Sequence, residues 1–269
     1  MTLLRYLAVA LFVAGCAAPL SQIPPSGMPA SVAAPELRAG DHWIYRVRDG
    51  FTGIPRGEQR HEIVEVSGDF VRVAGEVERG DGIQIYDRGW NWLRRPATNL
   101  QTFEYRPAYR AFAFPLEAGK RWRERLIATD PADGRQFPVW IDGVVRGWER
   151  VVVPAGEFDA LKVERQVYFE YWEYALRGRS VIREVEWYAP AAKQSVKREM
   201  RSRYLRLIAG DDSRPPEFMP VRAGRGGDGG RGAEGVRGFF RARDRGDDGT
   251  PRYVEDDWLI YELARYAVR

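Results

Sequence analysis

The chain holds one cysteine, Cys16, and two histidines, His42 and His61, among 269 residues. A single thiol excludes an internal disulfide, so a domain in an oxidising compartment must be held together by packing. The histidines stand in neither a His-x-His nor a His-Glu-x-x-His spacing, which leaves no sequence case for a metal centre. Lysine is scarce as well: Lys120, Lys162, Lys193 and Lys197 are the whole set, and the other basic residues are arginines. With 42 basic against 38 acidic side chains the net charge is +4, so the pI of about 9.2 points to no phosphate-binding surface. Long apolar runs are missing. The stretch 7–13 falls well short of the roughly 20 residues a membrane span needs. There is no Gly-x-Ser-x-Gly elbow and no glycine loop for phosphate, so nucleophilic catalysis lacks its parts and no catalytic residue, cofactor or metal is expected.

What is present begins at the amino terminus. Arg5, the apolar stretch 7–13 and the small residues Ala14 and Gly15 make up an export signal that ends at Cys16. Val13-Ala14-Gly15-Cys16 resembles the lipobox of bacterial lipoproteins. The resemblance implies that residues 1–15 are a signal peptide, that Cys16 is lipidated, with palmitate among its acyl chains, and that these chains hold the protein in a membrane. Ala17, where an aspartate would mark inner-membrane retention, implies the periplasmic face of the outer membrane. Removal of 15 residues from 269 leaves 254 and, with the loss of Arg5, a net charge of +3. Residues 16–36 carry Pro19, Pro24, Pro25, Pro29 and Pro35 and read as an extended tether that stands the folded part off the membrane.

Beyond residue 36 the pattern is one of short β-branched and aromatic runs broken by Gly, Asp and Pro turns. Strands are expected at 42–48, 62–66, 70–77, 83–87, 101–105, 122–128, 137–142, 144–153, 160–169, 179–188 and 195–203. In the run 70–77, Val71, Val73 and Val77 share one face. Leu-x-Ala-Gly-x-x-Trp occurs at 37–43 and again at 116–122, as if a turn glycine twice led into a strand with an inward tryptophan. The expected fold is all-β, an antiparallel curved sheet or open barrel over 37–208, with two similar lobes as an option. Residues 209–252 hold nine Arg, eight acidic residues and many glycines, which reads as a disordered insertion. Its nearly balanced charge argues against nucleic acid as a partner. Residues 253–269 close the fold, as a strand or, on the spacing of Leu259, Leu263 and Tyr266, as a helix.

Three motifs, Val153-Pro-Ala-Gly-x-Phe158-x-Ala160-x-Lys162-Val163, Trp187-Tyr188-Ala189-Pro190 and Val196-Lys197-Arg198-Glu199, resemble those of β-rich envelope proteins of Gram-negative bacteria. That resemblance implies a curved antiparallel sheet or open barrel and brings no reaction with it. Glu184 and Glu186 share a strand face, as do Glu164 and Gln166; a carboxylate pair in a cleft could divide acid and base roles. The row reads instead as the solvated face opposite Val181, Val185 and Trp187. His42 reads as a polar turn residue, and His61, beside Glu62, as a solvent-facing one. Aromatic density exceeds what one sheet face needs, so a ligand cavity lined by Trp140, Trp148, Tyr168, Tyr171 and Trp172 is expected as an option. The sequence thus supports a non-enzymatic, membrane-anchored lipoprotein that binds an envelope protein or plays a structural part, with a carrier or sensor of an apolar, lipid-like ligand as the alternative.

Overall fold

The computed structural model of the chain describes residues 21–75, 82–96, 102–171, 177–206 and 253–269. The expected signal peptide 1–15, Cys16, the lining candidate Trp172 and the expected insertion 209–252 lie outside them. Alternating sequence produces strands almost throughout: β1 (Ser31–Val32), β2 (His42–Asp49), β3 (Pro55–Val66), β4 (Phe70–Gly75), β5 (Ile83–Asp87), β6 (Trp92–Pro96), β7 (Thr102–Tyr109), β8 (Leu116–Glu117), β9 (Arg121–Thr129), β10 (Gln136–Val153), β11 (Gly156–Phe169), β12 (Arg177–Ala189), β13 (Gln194–Arg206) and β14 (Tyr253–Ala267). Twelve of them form one closed antiparallel barrel in the order β10-β11-β12-β13-β14-β2-β3-β4-β5-β6-β7-β9, with β9 returning to β10. β1 and β8 make a separate two-stranded ladder.

The all-β expectation holds, and the sheet is closed rather than open. The carboxy-terminal segment is a strand, not a helix: β14 lies between β13 and β2, pairing Leu259 with Asp49 and Ala267 with His42. The expected strands 137–142 and 144–153 are one 18-residue strand with an irregularity between Val145 and Gly147. Both copies of Leu-x-Ala-Gly-x-x-Trp feed this single barrel, so they mark a repeated turn and not two lobes. Gly40 (φ 89°) and Gly119 (φ 87°) each donate to a neighbouring strand, to the carbonyls of Ile63 and Val145 at 2.8 Å. Trp43 is then fully buried, and Trp122 lies over Gly143, where a Cβ would stand 2.1 Å from its ring.

Aromatic side chains fill the lumen in levels. Phe103 packs against Phe137, Phe169 and Tyr171 at 5.0–5.9 Å between centroids, and Trp92 stacks on Tyr109 at 3.9 Å. Trp90 meets Trp43 and Tyr86 edge-on. Offset and edge-on pairs of this kind add about 0.5–1.5 kcal/mol each beyond their buried area. The outer face is polar: Arg265 and Arg46 flank Glu58, Arg201 pairs with Glu255 and Arg146 with Glu164. A barrel spanning lipid carries the reverse pattern, an apolar belt outside and a polar lumen.

The proline-rich segment that the sequence casts as a tether is laid along the barrel from Ser21 onward. Ser21 and Trp148 exchange backbone hydrogen bonds at 2.7 and 2.9 Å, the Gln22 amide donates to Arg146 O at 2.6 Å, and Val32 is buried. Gly147 (φ 146°) makes the contact possible, because a Cβ there would stand 2.4 Å from Ser21 O. Proline prevents this segment from joining the main sheet without preventing it from packing on it.

Candidate functional site

Period-two alternation puts Val163, Arg165, Val167 and Phe169 of β11 on the inner face, so an arginine stands in an apolar row. Its neighbours across the ladder decide its fate. Register pairs Arg165 with Glu184, and Glu186 follows two residues on along β12. Arg165 Nε donates to Glu184 Oε2 at 2.7 Å, Nη2 donates to Glu186 Oε1, and Nη1 donates to the Ala111 carbonyl at 2.8 Å. Tyr109 Oη donates to Glu184 at 2.8 Å and Ser195 Oγ to Glu186 at 2.5 Å. Arg165 is 1 % exposed, Glu184 2 % and Glu186 4 %.

The expected solvated face is therefore the interior. The error is one of face: Val181, Val185 and Trp187 form the outer row, all three buried, and the ammonium groups of Lys162 and Lys197 cover Trp187 at 5.0 and 4.6 Å from its ring. Two apolar-looking faces on one strand leave the parity undetermined by sequence, and the wrong parity turns every side chain round. Burial alone would push the Glu186 carboxyl up, but the charges of Arg165 and Arg198 and the hydrogen bonds from Ser195 and Arg165 outweigh it and hold the group below the usual range. Burial likewise opposes charge on Arg165, and its two carboxylates reverse that and raise it. A pair already locked to one guanidinium is poorly placed for the acid and base division considered from sequence.

Next to this knot lies a small cavity of about 30 Å³, room for about two waters. Tyr45, His61, Tyr86, Arg95, Gln194 and Arg198 contribute to its wall, with Glu186 on one side. His61 thus faces inward, against Tyr45 at 5.5 Å between centroids, and not toward solvent. Burial, then the charges of Arg198 and Arg95, lowers its pKa to about 3, so it is neutral at pH 7. His42 stays at the turn, its Nδ1 within 3.1 Å of Gly40 O. Arg95 stacks 3.9 Å from the centroid of Trp92 with Nη1 3.4 Å from Tyr86 Oη; Arg198 lies 4.2 Å over the Tyr261 ring. The Nε atoms of both are buried without a hydrogen-bond partner, and among the described residues neither arginine has a carboxylate within ion-pair distance.

The turn Pro190–Ala192 closes this end of the barrel: Trp43 and Trp90 donate their indole N–H groups to the carbonyls of Ala192 and Lys193 at 2.7 and 2.8 Å. The motif around Trp187-Tyr188-Ala189-Pro190 thus covers the end of the lumen that holds the polar knot. Val153-Pro154-Ala155-Gly156 is the β10–β11 hairpin turn, with Gly156 at φ 129° and Phe158 buried against Tyr266. The four described residues of the expected aromatic lining are not brought together. Trp140 is half-buried on the outer face, Tyr168 is 38 % exposed, Trp148 is buried beside Ser21, and Tyr171 belongs to the Phe103 group.

No protein-family model and no curated protein matches the sequence. Among solved structures, the chain is similar to a candidate lipoprotein of Parabacteroides distasonis (11 % identity, TM-score 0.41, 88 % of this chain and 99 % of that one). It is also similar to a candidate exported protein with a YmcC-like fold from Bacteroides fragilis (12 %, 0.44, covering 88 % and 100 %) and to the hypothetical lipoprotein YmcC of Escherichia coli (10 %, 0.39, covering 64 % and 91 %).

Proposed function

We propose that this protein is a lipid-anchored protein of the cell envelope, held at the periplasmic face of the outer membrane through Cys16, whose barrel binds an envelope component or plays a structural part. The observation that carries this reading is the docking of Ser21 onto Trp148, five residues after the lipobox cysteine. Five residues reach at most about 17 Å, so acyl chains on Cys16 would keep the barrel close to the bilayer and not on a long leash. The charged outer face supports a barrel that stands in water beside the membrane. A lumen filled by aromatic rings favours this part over carriage of an acyl chain, which needs an elongated apolar cavity.

Radiolabelled palmitate supplied to expressing cells is expected to enter the full-length chain and to co-fractionate with outer membranes. Cys16→Ser is expected to abolish labelling and release the barrel as soluble protein of unchanged circular dichroism. An unlabelled wild-type chain, or a variant that fractionates as the wild type does, would refute the anchor.

A further inference from the structure

Among the described residues, the cavity wall and the knot beside it hold three guanidiniums, Arg95, Arg165 and Arg198, and two carboxylates, Glu184 and Glu186. Arg165 occupies both carboxylates by direct hydrogen bonds. Glu186 also acts on Arg198 through its charge, so among the described residues one positive charge is left over between Arg95 and Arg198, whose Nε atoms have no partner. A buried cation without a counter-charge is expensive, and proteins keep such a group where a ligand completes it. Both arginines border one cavity, which Tyr45, His61, Gln194 and the other wall residues give a polar surface. Each side of the cavity is also braced. Trp92 holds the Arg95 plane, Tyr261 holds the Arg198 plane, and Tyr45 Oη is fixed by donating to Ser195 O at 2.8 Å.

We propose that this cavity is a binding site for a small carboxylate monoanion, held by the guanidiniums of Arg95 and Arg198. The charge of the ligand follows from the single unbalanced cation. Its size follows from the room for about two waters, which admits formate or acetate and excludes a sugar acid. Its class follows from the donors: a guanidinium fork matches the two oxygens of a carboxylate. Glu186 borders the cavity but is engaged by Arg165 and Ser195, so it sets the far limit of the site and does not fill it. The proposal is independent of lipidation.

The test uses the full-length protein in detergent, with acetate as the probe against sodium gluconate of equal ionic strength, an anion too bulky to enter. Acetate is expected to raise the unfolding temperature saturably, as a ligand of the native state does. Arg198→Gln is expected to weaken acetate binding by about 10- to 100-fold, the worth of a charge-assisted hydrogen bond. The wild type supplies a second readout that does not depend on the folding of that variant. The His61 ring, which now faces the charges of Arg95 and Arg198, is expected to titrate at higher pH with acetate bound, by NMR. A response equal in acetate and gluconate, a variant that binds acetate as the wild type does, or a His61 titration that acetate leaves unmoved would show a cavity filled by water only.

Discussion

Arg165 shows what a buried guanidinium does when its partners are close on the next strand. Removing it by Arg165→Met would leave Glu184 and Glu186 hydrogen-bonded to Tyr109 and Ser195, with the charge of Arg198 acting on Glu186 from a distance and no direct ion pair. Loss of one partner from a buried ion pair costs about 3–5 kcal/mol, so urea unfolding is expected to show a clear drop in stability or no folded protein. His61 gives a second prediction at this scale. Its pKa is about 3 in the folded protein against an ordinary 6.5, so between those values the unfolded chain binds a proton that the folded chain refuses. Stability is therefore complete above about pH 6.5 and declines as the pH falls toward 3. His61→Gln is expected to flatten that part of the curve relative to the wild type, measured as urea midpoints across the range. Arg165 is absent from the residues singled out by sequence, although an arginine within the apolar alternation of Val163, Val167 and Phe169 is a local signal for it; the inward turn of Glu184 and His61 has no such signal, since neighbours on other strands set it.

At the scale of elements, β10 and the segment before β1 depend on two glycines. Gly147→Val would put side-chain atoms where Ser21 O now lies, and the segment 21–30 is expected to become a site of limited proteolysis while the barrel keeps its circular dichroism. Gly143→Ala would meet the Trp122 ring, and overpacking of this kind costs about 1–3 kcal/mol. Trp122→Leu in the same chain is expected to recover part of that loss, read as the urea midpoint. Most strands were legible because alternation and turn residues are local: β5 matches its expected range, and β2, β9 and β13 differ only at their ends. β6 (Trp92–Pro96) escaped notice because it is short and carries Arg94 and Arg95 where an apolar alternation would be. The proline-rich stretch misled for another reason, since prolines announce that a chain is extended and say nothing of what it lies against.

The described strands form a closed barrel whose first long strand meets its last. β2 pairs with β14, so residues 42–49 are zipped to residues 259–267 across almost the full sequence. Residues 207–252 join β13 to β14, strands that are already neighbours with Leu205 opposite Tyr253. Replacing 207–252 by a two-residue Asn-Gly turn is expected to leave the barrel folded and to stabilise it by up to about 3 kcal/mol in urea unfolding, because loop-closure cost falls by about 0.6 kcal/mol for each halving of length. Closure itself could not be read from sequence: each strand looks the same whether its sheet is curved, open or sealed, and the distant β2–β14 pairing decides among them. That seam has a temporal consequence. Until the fifteen residues of β14 are in place during folding, β2 and β13 each present an unsatisfied edge, and a chain cut short before Tyr253 would keep both for good. Such a remnant has two sticky margins open to its own kind, which makes the carboxy terminus the latch on which solubility rests.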